Sequence, residues 1–463
     1  MKNFIIKPLM IALLTVCCLR AGAEGKSLRE LQQDFVDLKF GMFIHFNIPT
    51  FANHDWPDPD ADPGIFNPVK LDCRRWAEAA KSAEMRYGCL TAKHHSGFCI
   101  WDTKTTDYGV MSSPFRRDVV REYVDAFRSE GLKVMLYYSI LDTHHRLRPG
   151  FINRDHTAMV KAQLTELLTN YGEIQALIID GWDAPWSRIS YDDIPFEEIY
   201  LLVKRLQPNC LLMDLNAAKY PAETLFYTDI KSYEQGAGQH IPKDANRLPA
   251  LSCLPLNRNW FWKRSFPADP VKDPAALVRD NLEPLNRAHC NFILNVAPNT
   301  DGLIDDNALA ALREIGRLWN DNAPATPLPD FDPPIIASNI ARNQPVNSSW
   351  SDDASIMDFG NDDNFRTSWY SNPDVSQPWF EIDFPHARSF NAVAIYDTKQ
   401  CITKYRLLCE ENGEWKTILT AENDLKVKRH HFDRLRANRL RIVVDASTAP
   451  PAIAEFCVYD ENR

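Results

Sequence analysis

The stretch Leu90–Asp102 reads LTAKHHSGFCIWD. A short apolar run ends at Lys93, His94 and His95 follow at once, and Phe98 and Trp101 stand just beyond. Such a run, closed by polar and chemically versatile residues, predicts a buried strand over Tyr87–Lys93 that delivers side chains at its C-terminal end.

The same pattern recurs in both directions. Upstream lies the strand candidate Leu38–Phe46 (LKFGMFIHF), with a helical pattern at Trp76–Ser82 in between. Downstream come a helix at Val119–Glu130 and a strand at Leu132–Ser139 (LKVMLYYS). A helix at Thr157–Tyr171 leads to the strand Gln175–Trp182 (QALIIDGW), and one at Glu197–Gln207 to the strand Cys210–Leu215. Leu225–Ser232 (LFYTDIKS) and Ala250–Leu256 (ALSCLPL) read as strands six and seven, with no clear helix between them. A helical pattern at Pro274–His289 precedes the eighth strand, Cys290–Val296, and Asn307–Asn320 closes the series as a helix. Eight apolar strands with helices mostly between them predict a parallel sheet, and this number in roughly 300 residues predicts a closed (β/α)8, TIM-like barrel over residues 24–322. Chemistry in such barrels sits at the C-terminal strand ends. His45, Lys93 with His94 and His95, Tyr138, Asp180, Asp214 and Glu234 all fall at or just past those ends.

The chain has 463 residues and a formal net charge of -10, which disfavours a nucleic-acid partner and is compatible with neutral substrates. Its start reads as an export signal over residues 1–23: Lys2 and Lys7, an apolar run from Pro8 to Leu19, then the small-x-small site Ala21-Gly22-Ala23. Leu14–Cys17 resembles a lipoprotein box, but Val16 is bulky where a small residue is wanted. The expectation is a periplasmic or secreted protein without an integral membrane segment. Of 11 cysteines, Cys17 and Cys18 lie in the signal. Cys89, Cys210 and Cys290 stand in apolar runs and read as buried thiols, while an exported chain leaves room for one or two disulfides.

Residues 323–334 form a proline-rich linker; DNAPATPLPDFDPP, residues 321–334, carries five prolines. From residue 335 to 463 the pattern changes to short alternating strands such as WFEIDF, NAVAIYD and RLRIVVD, which predict an antiparallel β-sandwich.

Two carboxylates are candidates for catalysis. Asp180 ends an apolar strand before Gly181 and Trp182, where it could serve as a nucleophile toward a sugar or merely cap a turn. Glu234 lies between Tyr233 and Gln235, and partial burial beside aromatics raises a carboxyl pKa as a general acid requires. Asp229 is its rival, with a position inside the strand that favours a structural role. Two carboxylates across a barrel mouth are the machinery of glycoside hydrolysis. His45, His94, His95 and the pair His144-His145 raise the alternative of a metal. Adjacent histidines on a strand point to opposite faces, so His94 and His95 are not expected to share an ion, and no catalytic metal or cofactor is predicted. Trp56, Trp101, Trp182, Trp186, Trp260 and Trp262 lie in or near strand-end loops, as sugar platforms or as core.

KFGMFIHF, the run from Phe66 to Val110 that contains KHHSGFCIWDTKTTD, and RRDVVREYVDAFRSEGLKVMLYYSILD resemble the family 29 glycoside hydrolases, the α-L-fucosidases. The resemblance covers roughly residues 27 to 320. It implies a retaining exo-α-L-fucosidase without a metal, acting by double displacement on fucosylated oligosaccharides or glycoconjugates. The family's nucleophile falls on Asp180. DIKSYEQ resembles the segment that carries the acid/base in some members, which puts it on Glu234; where other members have a later Trp-Glu pair, ALSCLPLNRNWFWK has no glutamate. The sugar-binding histidines fall on His45, His94 and His95, and a pocket tyrosine on Tyr138 rather than Tyr137. Trp56, Trp182 and Trp260 are the expected substrate-binding indoles. The chain departs from the family at Ile178, where an aromatic is common, and at NHDWPDPDADPG, where Asp55 and Trp56 stand in for a Trp-Glu-type contact. These departures leave open a related sugar such as an α-L-galactoside, or a non-catalytic glycan-binding protein.

The C-terminal region resembles the discoidin-like (coagulation factor 5/8 C-type) carbohydrate-binding modules through NDDNFRTSWYS, WFEIDF and AEFCVYD, whose glutamate is Glu455. That resemblance implies glycan binding or packing on the barrel. It also implies a structural Ca2+ near the Gly360-Asn361 turn.

Overall fold

The computed structural model describes residues 25–461 apart from residues 322 and 412; the export signal expected over residues 1–23 lies outside the described residues. Eight parallel strands form one sheet: β1 (Phe40–Ile44), β2 (Tyr87–Lys93), β3 (Lys133–Ser139), β4 (Ala176–Asp180), β5 (Leu211–Asp214), β6 (Lys231–Glu234), β7 (Ala250–Pro255) and β8 (Cys290–Asn295). Their order is β5-β4-β3-β2-β1-β8-β7-β6, a nearly closed barrel as expected. Alternate residues divide between two cores. Phe43, Met135, Tyr137, Ile178, Met213 and Ile293 fill the barrel interior. Leu136, Tyr138, Leu177 and Ile179 face the surrounding helices.

The interior is plugged from below by α1 (Leu28–Leu38), capped by Ser27 and Glu30, which inserts Leu31 and Phe35 into the inner cluster. Gly41 of β1 is required there, since a Cβ would lie 2.3 Å from the Tyr87 ring. Further helices follow as α2 (Ile48–Ala52), α3 (Cys73–Ser82), α4 (Val119–Ser129), α5 (Arg154–Asn170) and α6 (Phe196–Leu206). Only the 3-10 turns Ala217–Lys219 and Gln235–Ala237 lie between β5 and β6 and between β6 and β7, and Asp306–Leu318 is the closing helix.

Two expectations need correction. The expected helix Pro274–His289 contains a π segment at Leu277–Leu282. Pro284 lacks an N–H and would collide with the carbonyl four residues back, which a widened turn relieves. The sixth strand begins at Lys231 rather than Leu225. The residues before it close the seam between β5 and β6 instead. Asp229 N–H donates to Leu212 O at 2.8 Å, and Leu212 N–H donates to Asp229 Oδ2 at 2.9 Å. Lys204 Nζ and the Tyr200 hydroxyl also donate to that carboxylate, at 2.8 and 3.0 Å. All of its oxygens are thereby spent on the seam.

The linker runs without regular structure from residue 323 to 334. It is tied to α1 through Gln33 Oε1, which accepts from Leu328 N–H, and Arg29, which lies 4.1 Å from the Phe331 ring. The second domain is an antiparallel sheet of β9 (Val346–Ser348), β10 (Trp369–Tyr370), β11 (Trp379–Asp397), β12 (Ile402–Glu411), β13 (Glu414–Glu422), β14 (Val427–Ser447) and β15 (Ala452–Tyr459). The long strand β11 pairs with β9, β14 and β15, and its register with β14 is interrupted between Asp383 and Arg388. Trp369, Phe380, Ile382 and Phe390 fill the core of the domain. The domain also packs on the barrel: Phe365 approaches Tyr220 and Phe226 at 5.6 and 5.7 Å, and Arg342 pairs with Asp192. All nine described cysteines are buried free thiols, so no disulfide forms among the described residues.

Candidate active site

A cavity of about 170 Å3 opens at the C-terminal end of the barrel. Its walls carry side chains from the ends of six strands, including Asp180, Glu234, His45, His94, His95 and Tyr137.

Asp180 is the last residue of β4 and is almost fully buried. The Tyr137 hydroxyl donates to its Oδ2 at 2.6 Å and Asn216 Nδ2 to its Oδ1 at 3.1 Å, so each oxygen has its own donor. His95 Nε2 stands 3.6 Å from Oδ2. The turn that follows depends on Gly181, with φ at +107°; a Cβ there would press on Ile140 and Leu141 N at 3.0 Å.

Glu234 ends β6, and its Oε1 accepts from Trp260 Nε1 at 3.1 Å. Burial, reinforced by the Asp180 charge, pushes its carboxyl up to about 7, against the lowering effect of the indole. It therefore holds its proton to near neutrality.

His45 and His95 each present one ring nitrogen to a defined partner. His45 Nδ1 lies 2.8 Å from Asn295 Oδ1, which can only accept, so Nδ1 carries the proton and Nε2 is left as an acceptor. His95 Nδ1 lies 2.7 Å from Ser139 Oγ, whose own proton goes to Leu141 O, which gives the same tautomer. Burial pulls His45 down to about 3 and lowers His94 and His95 as well, although Asp180 opposes the shift at His95. Neutral imidazoles are hydrogen-bond acceptors for hydroxyls. His94 Nδ1 is buried without a protein partner.

His94 and His95 do not face opposite ways. The strand ends at Lys93, and the turn beyond it brings both rings to the cavity with centroids 4.0 Å apart. Among the described residues no three His, Cys, Asp or Glu side chains converge as metal ligands. His144 and His145 lie outside the cavity; His144 stacks on Tyr108 at 3.8 Å and His145 Nδ1 contacts Asp142 at 2.9 Å.

Tyr138 is the main correction. Its hydroxyl donates to Gln163 Oε1 at 2.6 Å and accepts from Lys93 Nζ at 3.0 Å, on the helix side of the sheet. Strand parity turns Tyr137 inward instead, in register with Ile178 of β4. Trp182 is likewise removed from the cavity; its Nε1 donates to Ile194 O and its ring packs on Phe196. Trp101 and Trp262 are tied to Glu166 and Asp305. Trp56, stacked on His95 at 4.8 Å, and Trp186 form a half-exposed rim, while Trp260 lines the wall. Asp55 also lines the cavity, held by Lys263 at 2.5 Å. Asn216 and Phe261 were not anticipated from sequence; only their places, just past β5 and next to Trp260, hint at them.

The chain is similar to known proteins over both of its domains. Residues 61–324, more than half of the chain, match the family model described as alpha-L-fucosidase, and residues 335–456 match the F5/8 type C domain. Alpha-L-fucosidase 1 of Arabidopsis thaliana is 28% identical over 453 residues, covering 90% of this chain and 84% of the relative. Tissue alpha-L-fucosidase of Homo sapiens is 23% identical, covering 64% of this chain and 69% of the relative. Among solved structures, alpha-L-fucosidase isoenzyme 1 from Paenibacillus thiaminolyticus superposes with a TM-score of 0.53 at 25% identity, over 91% of this chain and all of that one. With its carboxylate-bearing barrel and its appended F5/8 type C domain, the chain belongs to the α-L-fucosidase family, family 29 of the glycoside hydrolases.

Proposed function

We propose that the protein is an exo-acting α-L-fucosidase that releases terminal α-L-fucose from oligosaccharides or glycoconjugates by retaining double displacement. The observation that carries this reading is a single cavity with two carboxyl groups in contrasting settings. Asp180 is oriented by one donor on each oxygen, and Glu234 is shielded and protonated up to about pH 7. Asp180 attacks the anomeric carbon while Glu234 gives its proton to the leaving oxygen. Glu234, now a carboxylate, takes a proton from water, which displaces Asp180 and regenerates both groups. The Nε2 atoms of His45 and His95 accept from sugar hydroxyls, which selects for sugars that place hydroxyls there. Asp229 is committed to the seam and does not compete for the acid role.

The test is turnover of an aryl α-L-fucoside, with the aryl α-L-galactoside in parallel. Asp180→Asn and Glu234→Gln should each lose activity by several orders of magnitude, and azide should restore Glu234→Ala by displacing Asp180 from the β-fucosyl-enzyme to give an α-fucosyl azide. Wild-type rates in both carboxyl variants would refute the assignment. Faster turnover of the galactoside would move the substrate, not the mechanism.

We also propose that the sandwich holds a structural Ca2+ at the turn of Asn361 to Asn364. Glu455 is fully buried there, and burial with the neighbouring Asp363 and Asp362 carboxylates holds it well above the ordinary carboxylate range. A hard cation would relieve that cost, with carbonyl oxygens and water completing its shell. Export to the periplasm or medium remains part of the same proposal, resting on the residue pattern of positions 1–23.

A further inference from the structure

Asp214 ends β5, is fully buried, and has no part in the mechanism above. Its Oδ1 accepts from the backbone N–H of Asn216 at 2.9 Å, and its Oδ2 accepts from the Tyr191 hydroxyl at 2.6 Å. The Asn216 amide then donates to Asp180 Oδ1 at 3.1 Å. Three elements are thus joined: the loop after β4 through Tyr191, the end of β5 through Asp214, and the end of β4 through Asp180. Asn216 is nearly buried and sits just before a 3-10 turn at Ala217–Lys219, so the carboxylate two residues earlier pins its backbone.

We propose that Asp214 and Asn216 are positioning residues for Asp180, Asp214 fixing the turn from which the Asn216 amide orients the nucleophilic carboxylate. Asp180 has one rotatable bond between Cβ and its carboxyl group. The Tyr137 hydroxyl holds one oxygen, but a single contact leaves the group free to swing about that atom. The Asn216 donor supplies the second point and sets the plane in which Oδ2 or Oδ1 faces the sugar. The charged and titratable groups around Asp180 are Tyr137 of β3, His95 beyond β2, Glu234 of β6 and Asp214 itself. None of the others reaches Oδ1 as a donor among the described residues.

The inference deepens the fucosidase reading and rests on it. In the full chain, Asn216→Ala and the isosteric Asn216→Asp should lower kcat on an aryl α-L-fucoside by about 10- to 100-fold, the scale of one hydrogen bond to a charged group. Inhibition by free fucose should stay near the wild-type value, because the histidine grip is untouched. Active-site titration with a 2-deoxy-2-fluoro-fucosyl fluoride counts folded sites, so the loss is read per site. Asp214→Asn keeps an acceptor for the Asn216 N–H and should lose less than Asp214→Ala. Wild-type kcat per titrated site in both Asn216 variants overturns the proposal, and so does an equal loss in fucose affinity. A crystal structure of Asn216→Ala gives an answer independent of turnover: a rotated Asp180 carboxyl supports the proposal and an unmoved one overturns it. Absence of wild-type turnover would instead strike the fucosidase reading.

Discussion

Trp260 donates its indole N–H to Glu234 Oε1 at 3.1 Å, and this bond opposes the burial and the Asp180 charge that raise the carboxyl to about 7. Removing the donor removes the one contribution that favours the charged form. In Trp260→Phe the basic limb of kcat/KM should therefore move to higher pH. Asp180→Asn removes a raising charge, so the Glu234 titration, read by Trp260 fluorescence, should move down. The sign for stability follows from the raised value. The contribution of Glu234 is full below its ordinary 4.5 and is lost as pH climbs through about 7. Glu234→Gln should melt higher than the parent above pH 7 and show no such gain near pH 4. A basic limb that stays fixed in Trp260→Phe would remove the indole from this role.

Tyr137 and Tyr138 are adjacent and sit on opposite faces of β3. Tyr137→Phe takes a donor from Asp180 and should cut kcat by about 10- to 100-fold with little change in melting temperature. Tyr138→Phe should do the reverse. It strips a partner from Lys93 and Gln163, and costs roughly 1–2 kcal/mol of stability while the chemistry persists. Paired kinetics and thermal melts separate the two, and equal kinetic losses would contradict the parity.

Lys93, the first residue of the KHH run, is fully buried and pairs with Asp142 at 3.2 Å, and Asp142 also takes the Nδ1 of His145 at 2.9 Å. The pair carries the turn after β3 against the end of β2, since Thr143 N–H donates to His95 O at 2.8 Å. Lys93→Met leaves Asp142 charged and dry, and should destabilise the protein by about 3–5 kcal/mol. The double variant Lys93→Met with Asp142→Leu should recover much of that loss. Urea titration measures both, and an additive double variant would show that the charges do not interact.

Seven of the eight barrel strands could be read closely from the sequence because a strand buried on both faces is a continuous apolar run, and such runs are hard to mistake here. Leu225–Ser232 misled for the same reason. Its apolar residues serve a seam and a domain contact rather than a ladder: Tyr227 N–H donates to Ile335 O at 2.8 Å, with φ at +52°. Asp180 and Glu234 could be placed at strand ends, but which of two neighbouring tyrosines faced them depended on absolute parity. A run apolar at every position does not report parity. The parity rule also failed for His94 and His95, because it holds inside a strand and these lie one and two residues past its end. Asp214 could be placed at a strand end, but Asn216 was invisible, since its place depends on a turn that Asp214 pins through a backbone contact no sequence pattern reports.

Ca2+ at Glu455 predicts a metal-dependent melting curve. A bound cation would neutralise the Glu455 charge; without one, the buried carboxyl is held protonated beside Asp362 and Asp363. Chelation by EDTA at pH 7.5 should lower the melting temperature of the sandwich, and added Ca2+ should restore it more fully than Mg2+, whose strict octahedral shell suits a carbonyl-rich turn poorly. Glu455→Gln should melt at the same temperature with and without EDTA. A parent protein indifferent to EDTA would mean that Glu455 is simply a protonated core residue.

The sandwich and barrel share an apolar boundary, so their unfolding should be linked. Phe365 touches Tyr220 and Phe226 of the barrel and Tyr396 of its own domain, at 5.5 to 5.7 Å. Ala392, Ala394, Cys457 and Tyr459 of the sandwich belong to the same buried cluster as the barrel's outer core. Phe365→Ala should cost roughly 2–3 kcal/mol, less than a fully buried phenylalanine because the ring is only half enclosed. Arg342→Gln frees Asp192 on the loop that carries Trp186, and should add a smaller loss because that pair is partly exposed. Calorimetry then distinguishes the outcomes. The parent should unfold in one transition, whereas the double variant should split into two, the sandwich and the barrel melting separately. A parent that already shows two transitions would mean that the boundary contributes too little to couple them.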